Sequence, residues 1–474
     1  MPETPSFTLQ LSQNKYLAPA DERMDAVLTV RVGDAGTTAV ADPPRTAELL
    51  LVDCSSSMDW PPTKIEAARH ACRVAVDSLR DGVLFGVVEC TAHAELVYPA
   101  TPELAVAGDR TRHEARAAVS GLIAGGGTAM SQWLDLAREL FARNPAAIRH
   151  AVLLTDGKNE SDRMGALDAA LDRCRGEFAC DARGIGDDWE PRDLQRIASA
   201  LRGSADAVLE DTELAGDFRR LVEQAMGRTV PDLRLRLTTM PYTRLRFVKQ
   251  VFPTEVDLTA QCRSDGRVLE LPTGAWGDEQ REYHLCLDVD AAELTRHEDR
   301  LLGTVALLEG ADTVVSERLP VVGYLTDDLA LSSVPDENVA RITGQAELGR
   351  AVRAGWDAFE REDRAEAARE WGVAYRLATD LGNAEILKRL TRLIDVREDG
   401  AVAIKDGVRP RDGFSLVLGS TISTYTAEPV AAPARPVVGG APRECVHCGH
   451  KARPAAKRCG RCGELFEDPA GAPS

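Results

Sequence analysis

No run of about 18 consecutive apolar residues occurs in this 474-residue chain, so no membrane span is expected. The opening residues, Met1-Pro2-Glu3-Thr4-Pro5-Ser6, lack the basic and apolar regions of an export signal. Surplus positive charge is missing as well. Lys and Arg total 57 against 75 Asp and Glu, and a net charge of −18 repels nucleic-acid backbones and anionic lipid. Any contact with nucleic acid would have to be local. The 11 cysteines are an odd number, and Cys54, Cys72, Cys90, Cys174, Cys180, Cys262 and Cys286 are scattered singly, which is poor material for a disulfide framework. A cytoplasmic protein is expected, with these thiols acting as small core hydrophobes. Two catalytic loops are absent too: neither Gly-x-x-x-x-Gly-Lys-Ser/Thr nor Gly-x-Ser-x-Gly occurs. What is present, 44% hydrophobic and 28% charged residues, describes a globular chain with room for about three domains.

Residues 1–44 contain two alternating runs, Phe7–Leu11 and Ala26–Val32, with the period of half-buried strands. Across 45–228 the rhythm changes. Apolar runs at Ala47–Val52, Val83–Val88, Ala151–Thr155, Phe178–Ile185 and Ala205–Leu209 alternate with helical stretches at Lys64–Arg80, Asp109–Leu122, Met130–Arg143, Asp162–Arg175, Pro191–Leu201 and Thr212–Met226. This is the sequence form of a doubly wound, Rossmann-like α/β sheet. Short alternating strands return over 229–330, at Leu233–Leu237, Val268–Leu271, Tyr283–Leu287 and Gly303–Leu308, and read as a β-sandwich. Two strands alone cannot form a domain, so the strands of 1–44 are expected to join that sandwich, with the α/β unit inserted between. Residues 331–400 read as helical hairpins, a small bundle packed on the sandwich. Residues 401–443 read as a linker, Pro- and Ala-rich from 426; its hydroxyl-rich stretch Leu418–Thr426 reads first as a strand end with solvated threonines and, as the alternative, as a flexible segment accessible to a kinase at Thr421, Thr424 or Thr426.

The first α/β strand runs directly into Asp53-Cys54-Ser55-Ser56-Ser57-Met58. A carboxylate and two hydroxyls at alternate loop positions can turn toward one point. Two further segments should reach the same sheet edge: Gly125-Gly126-Gly127-Thr128 before a helix, and Leu154-Thr155-Asp156-Gly157 after a strand. Hard oxygen donors of this kind suit Mg²⁺ or Mn²⁺ and suit zinc poorly. Asp53, Ser55, Ser57, Thr128 and Asp156, in that order, resemble the metal-ion-dependent adhesion site of von Willebrand factor A domains. The resemblance covers roughly 45–228. It implies that Ser55, Ser57 and Thr128 bind the ion directly or nearly so, and that Asp53 and Asp156 bind directly or through water. It implies one exposed position that a partner's Glu or Asp can fill, hence binding and no turnover. In some members ligation also shifts the last helix, here Thr212–Met226. His93 and His150 lie by strands, where a lone histidine is ordinarily a satisfied packing residue, and the Cys54 thiol is expected to point into the core. No catalytic residue is assigned.

The tail, 444–468, carries Cys445-x-x-Cys448-Gly449 and Cys459-x-x-Cys462-Gly463. Each glycine can take the positive φ that lets backbone N–H groups reach the thiolates. Four thiolates close a tetrahedral structural site, and the segment looks like a small zinc ribbon. With Zn²⁺ bound, the basic residues between Arg443 and Cys462 leave a patch of net +3, weak support for RNA or DNA. The combination resembles bacterial intracellular scaffolds that act beside kinases, phosphatases or ATPases, binding proteins rather than membranes or nucleic acid. A metal-dependent hydrolase or phosphatase, and a nucleic-acid-contacting factor acting through the ribbon, are the alternatives.

Overall fold

A computed structural model describes residues 5–33, 44–310, 312–397 and 402–423, with the backbone of 443–444 and 451–452. The chain divides into two units, Met1–Thr424 and Tyr425–Ser474. The first begins with β1 (Ser6–Gln13), β2 (Tyr16–Leu17) and β3 (Arg23–Gly33). An alternating series follows: β4 (Thr46–Asp53), α1 (Thr63–Ser78), β5 (Leu84–Cys90), β6 (Ala94–Tyr98), β7 (Ala105–Val106), α2 (Asp109–Ser120), α3 (Met130–Arg143) and β8 (Ile148–Thr155). It ends with α4 (Ala166–Cys174), β9 (Ala179–Ile185), α5 (Pro191–Ala200), β10 (Ala205–Val208) and α6 (Leu214–Met226).

These strands form one sheet in the order β10-β9-β8-β4-β5-β6, parallel except for β6 and the short β7, both of which pair antiparallel with β5. Every residue of β4 is buried, as a central parallel strand with helices on both faces requires. Leu49, Leu51 and Leu153 pack with Trp133, Leu134 and Leu194 on one side. Leu50, Val52 and Leu154 pack with Ala68, Cys72 and Phe218 on the other.

Next come β11 (Leu233–Thr239), β12 (Thr243–Phe252), β13 (Val256–Asp257), β14 (Arg263–Asp265), β15 (Val268–Pro272), β16 (Glu279–Val289), β17 (Asp299–Glu309), β18 (Thr313–Val314) and β19 (Leu319–Leu325). One sheet runs β1-β3-β16-β12-β13 and a second β14-β15-β11-β17-β19-β2. Leu28, Val30 and Tyr283 of the first share a core with Leu235, Val305 and Leu307 of the second. The β3–β16 register runs from Arg23 opposite Asp288 to Val32 opposite Glu279. The chain therefore leaves this pair of sheets after β3 and returns at β11.

The helical region docks differently from the sequence expectation. It comprises α7 (Leu329–Ser332), α8 (Glu337–Glu360), α9 (Arg364–Asp380), α10 (Ala384–Leu393), the hairpin β20 (Ile394–Val396) and β21 (Val402–Ile404), and α11 (Pro410–Gly419). The start of α8 packs on the β-sheets through Val339 and Ile342, against Val27 and Val251, and α7 lies against β2. From Leu348 onward α8, with α9, α10 and α11, shares the core of the α/β layer on its α5–β10 side. Phe414 sits there between Trp189, tilted at 4.7 Å between centroids, and Trp356, edge-on at 5.5 Å. Arg389 pairs with Asp206 at 2.8 Å and Arg411 with Asp187 at 2.6 Å. The linker expected over 401–443 is thus corrected: β21 and the buried helix α11 occupy its first part. The flexible stretch from Leu418 is corrected too. Ser423 N–H donates to the carbonyl of Pro253 at 2.7 Å, and the Thr421 hydroxyl donates to that of Leu418 at 2.7 Å. Thr424 and Thr426 lie outside the described residues.

In the second unit Arg443–Glu444 pairs antiparallel with Lys451–Ala452. Cys445, Cys448, Cys459 and Cys462 lie outside the described residues. Among the described residues no helix is long and apolar enough to cross a membrane.

Candidate functional site

From β4 the chain winds one way, to β5 and β6, and then crosses back to place β8 on the other flank of β4. Carboxyl ends of neighbouring strands diverge at such a switch point and leave a crevice between the connecting loops. Asp53 ends β4, and Asp156 directly follows β8. Thr128 precedes α3, on the loop that carries the three consecutive glycines.

The five residues expected from the sequence come together here. Asp53 is fully buried, and its oxygens accept from the Ser55 N–H at 2.8 Å and the Thr155 hydroxyl at 2.5 Å. Burial pushes its carboxyl up to about 6, against those two hydrogen bonds. The Ser55 and Ser57 hydroxyls are 2.9 Å apart, and Ser57 donates to Asp156 Oδ1 at 2.6 Å. Gly157 marks the centre of the cluster: a Cβ there would stand 3.0 Å from the Ser57 and Thr128 hydroxyls and 3.5 Å from that of Ser55. Three hydroxyls and two buried carboxylates thus border a space kept open by the absence of one side chain.

Backbone bonds knit the three loops. Ser56 N–H donates to the Gly126 carbonyl at 2.9 Å, Gly125 N–H to that of Cys54 at 2.7 Å, and Ser161 N–H to that of Thr128 at 2.9 Å. Gly126 sits at φ +88°, where other residues are strained. The third loop caps α3: Asn159 accepts from Met130 N–H at 2.9 Å, and Asp162 from Ser131 N–H at 2.9 Å. Each loop also exposes a large apolar side chain. Trp60 is 79% exposed and Ile123 71%, and Met164 is fully exposed.

The donor set fits a small hard cation, with all-oxygen ligands and two negative charges. The residues that would hold it are Asp53, Ser55, Ser57, Thr128 and Asp156. Among the described residues no group of three or more His, Cys, Asp and Glu gathers to hold a metal, so the hydroxyls are indispensable to this site.

One member of the cluster escaped the sequence reading. The Lys64 ammonium reaches Asp156 Oδ2 at 2.6 Å, although a lysine in a helix's first turn ordinarily points to water. A neighbouring pairing was also missed. His150 lies fully buried at the start of β8, its ring nitrogens 2.8 Å from Glu48 Oε1 and 2.8 Å from Asp181 Oδ2. A glutamate inside the apolar run of β4 was the available signal, since a buried charge needs a partner. His150 is six residues from Asp156, about 20 Å along the strand, and takes no part in the cluster. His93 is exposed on the loop after β5, and its ring makes no hydrogen bond to the cluster. Cys54 is fully buried in the core on the α1 side, and burial raises its thiol far above the usual range.

A family model described as von Willebrand factor type A domain matches residues 49–207. A solved structure named von Willebrand factor type A, from Catenulispora acidiphila, is 36% identical, with a TM-score of 0.83 over 90% of this chain and 98% of that one. The ArnB paralog VWA2 from Sulfolobus acidocaldarius is 15% identical, with a TM-score of 0.55 over 89% of this chain and 98% of that one, a likeness of fold alone. An uncharacterised protein of Synechocystis sp. is 28% identical over 285 residues, 57% of this chain. The chain spans 64% of the length of that curated relative.

Proposed function

Because the chain belongs to the von Willebrand factor type A family, whose domains commonly bind a divalent ion and mediate protein–protein interaction, we propose that it is a non-enzymatic, metal-dependent protein-binding scaffold. Mg²⁺ or Mn²⁺ is the ion, held by Asp53, Ser55, Ser57, Thr128 and Asp156. When bound, the ion offers a coordination position to a Glu or Asp of the partner, a charge-assisted contact. The chain's own residues fix the ligand loops to one another, keep the two carboxylates out of bulk water, and surround the site with Trp60, Ile123 and Met164 as apolar contact surface.

The observation that carries this reading is the convergence of three hydroxyls on Gly157 between Asp53 and Asp156. Binding is favoured over hydrolysis because the cluster's carboxylates and hydroxyls would all serve as ligands of the ion, and among the described residues no histidine or thiol lies in hydrogen-bond reach to act as a separate base or nucleophile. Cys445, Cys448, Cys459 and Cys462 hold Zn²⁺ in a structural ribbon on the tail. The setting is cytoplasmic, in a kinase-, phosphatase- or ATPase-linked bacterial signalling system.

Affinity purification tests the proposal, with wild type compared against the Ser55→Ala/Ser57→Ala double variant in magnesium and in EDTA. A protein recovered only by wild type, and only in magnesium, is the expected result. Equal recovery in EDTA refutes it.

A further inference from the structure

We propose that Lys64 is a built-in counter-charge of the oxygen cluster, which weakens its hold on a divalent cation and strengthens the loaded site's hold on a partner carboxylate. The inference rests on the metal-site reading above and says why that site calls for an external anion.

Lys64 is fixed at the cluster by several features. Its ammonium donates to Asp156 Oδ2 at 2.6 Å and to the Ser57 carbonyl at 3.3 Å, and its side chain is only 8% exposed. The aliphatic stem passes Gly186, where φ is +74° and a Cβ would stand 2.9 Å from Cε and 3.2 Å from Nζ. Glycine leaves the room through which the stem runs. Asp156 is then engaged at both oxygens, by Lys64 at Oδ2 and by the Ser57 hydroxyl at Oδ1.

Charge decides the consequence. Asp53 and Asp156 alone would neutralise a doubly charged ion and leave little attraction for another anion. With the Lys64 ammonium in place the cluster carries one net negative charge, so the loaded site carries one net positive charge. A monoanionic carboxylate neutralises it. Two opposite effects follow for a variant without the ammonium: the cation binds more tightly, and an added carboxylate binds the loaded site more weakly. A unit charge about 4 Å from another changes affinity by about fivefold at the dielectric of water and by about a thousandfold at an effective protein dielectric, so a change of at least about tenfold is expected at this buried site.

The test uses the full chain, with Mn²⁺ alone as the first probe and acetate added to Mn²⁺-saturated protein as the second, both followed by titration calorimetry. Lys64→Met and Lys64→Gln serve as two neutral replacements, and metal-free thermal midpoints monitor the fold. Tighter Mn²⁺ binding by at least about tenfold, together with weaker acetate binding in both variants, is expected. A merely loosened fold would weaken both. Unchanged or weaker Mn²⁺ binding, or unchanged acetate binding, overturns the role of Lys64 while leaving the metal site intact. Absence of saturable Mn²⁺ binding by wild type and variants alike overturns the metal-site reading itself, and the inference with it.

Discussion

The buried Glu48–His150–Asp181 group should make stability fall in mildly alkaline solution. His150 Nδ1 lies 2.8 and 2.9 Å from the two Glu48 oxygens, and Nε2 lies 2.8 Å from Asp181 Oδ2, so both ring nitrogens face carboxylates and the imidazolium satisfies both. Asp181 Oδ1 accepts from the Ser204 N–H and hydroxyl, each at 2.6 Å. Burial opposes the charge on His150, but Glu48 and Asp181 outweigh it and raise the imidazole from 6.5 to about 9. That difference corresponds to roughly 3 kcal/mol. The folded protein holds this proton more tightly than the unfolded chain does. The stabilisation is therefore fully present below pH 6.5 and is lost as pH rises through about 9. Urea denaturation of wild type and His150→Gln between pH 6 and about 9.5 isolates the effect, because thiols and other groups titrating there are common to both chains. The stability difference between the two should shrink by roughly 3 kcal/mol over that range. A difference that stays constant with pH would refute a charged His150.

Three further outcomes follow from the packing. Phe414→Ala removes the ring between Trp189 and Trp356 and should cost about 3–5 kcal/mol in urea denaturation, with a loss under about 1 kcal/mol counting against a docked α11. Deleting residues 1–33 strips β3 from β16 together with the buried Leu28, Val30 and Val32, so limited proteolysis should then cleave within 233–325 well before 46–226; equal resistance of the two regions would contradict the pairing. Gly157→Ala places a methyl 3.0 Å from the Ser57 and Thr128 hydroxyls and should weaken Mn²⁺ binding at least about tenfold, with the metal-free thermal midpoint little changed; unaltered affinity would place the cation elsewhere.

Much of the α/β layer can be read from residues alone, because its parallel strands are continuous apolar runs that helical periodicity separates. The site is legible for a related reason. Asp53, Ser55, Ser57, Thr128 and Asp156 sit at strand ends and helix starts, and the parallel sheet carries all such loops to one edge. What is not legible depends on register and on packing between distant segments. Glu48 opposite His150 is a register fact about β4 and β8, and no local pattern specifies it. Lys64 escapes notice because its periodicity is that of an ordinary amphipathic helix, and the approach of Gly186 from after β9 opens a buried course for its stem. Helix α11 hides behind Gly413 and Gly419, though Pro410 at its first turn and the run Phe414–Leu418 offered a signal. The partners of its Phe414, Trp189 and Trp356, lie 225 and 58 residues earlier in the chain, and sequence separation gives no hint of that contact.

The most direct test of the oxygen cluster as a divalent-cation site is a Mn²⁺ titration of wild type and Asp53→Ala, read by electron paramagnetic resonance of free Mn²⁺. One saturable site in wild type that the substitution abolishes, competed by Mg²⁺, is the predicted result. Equal Mn²⁺ uptake by both proteins, or no saturable uptake by wild type, would contradict the account.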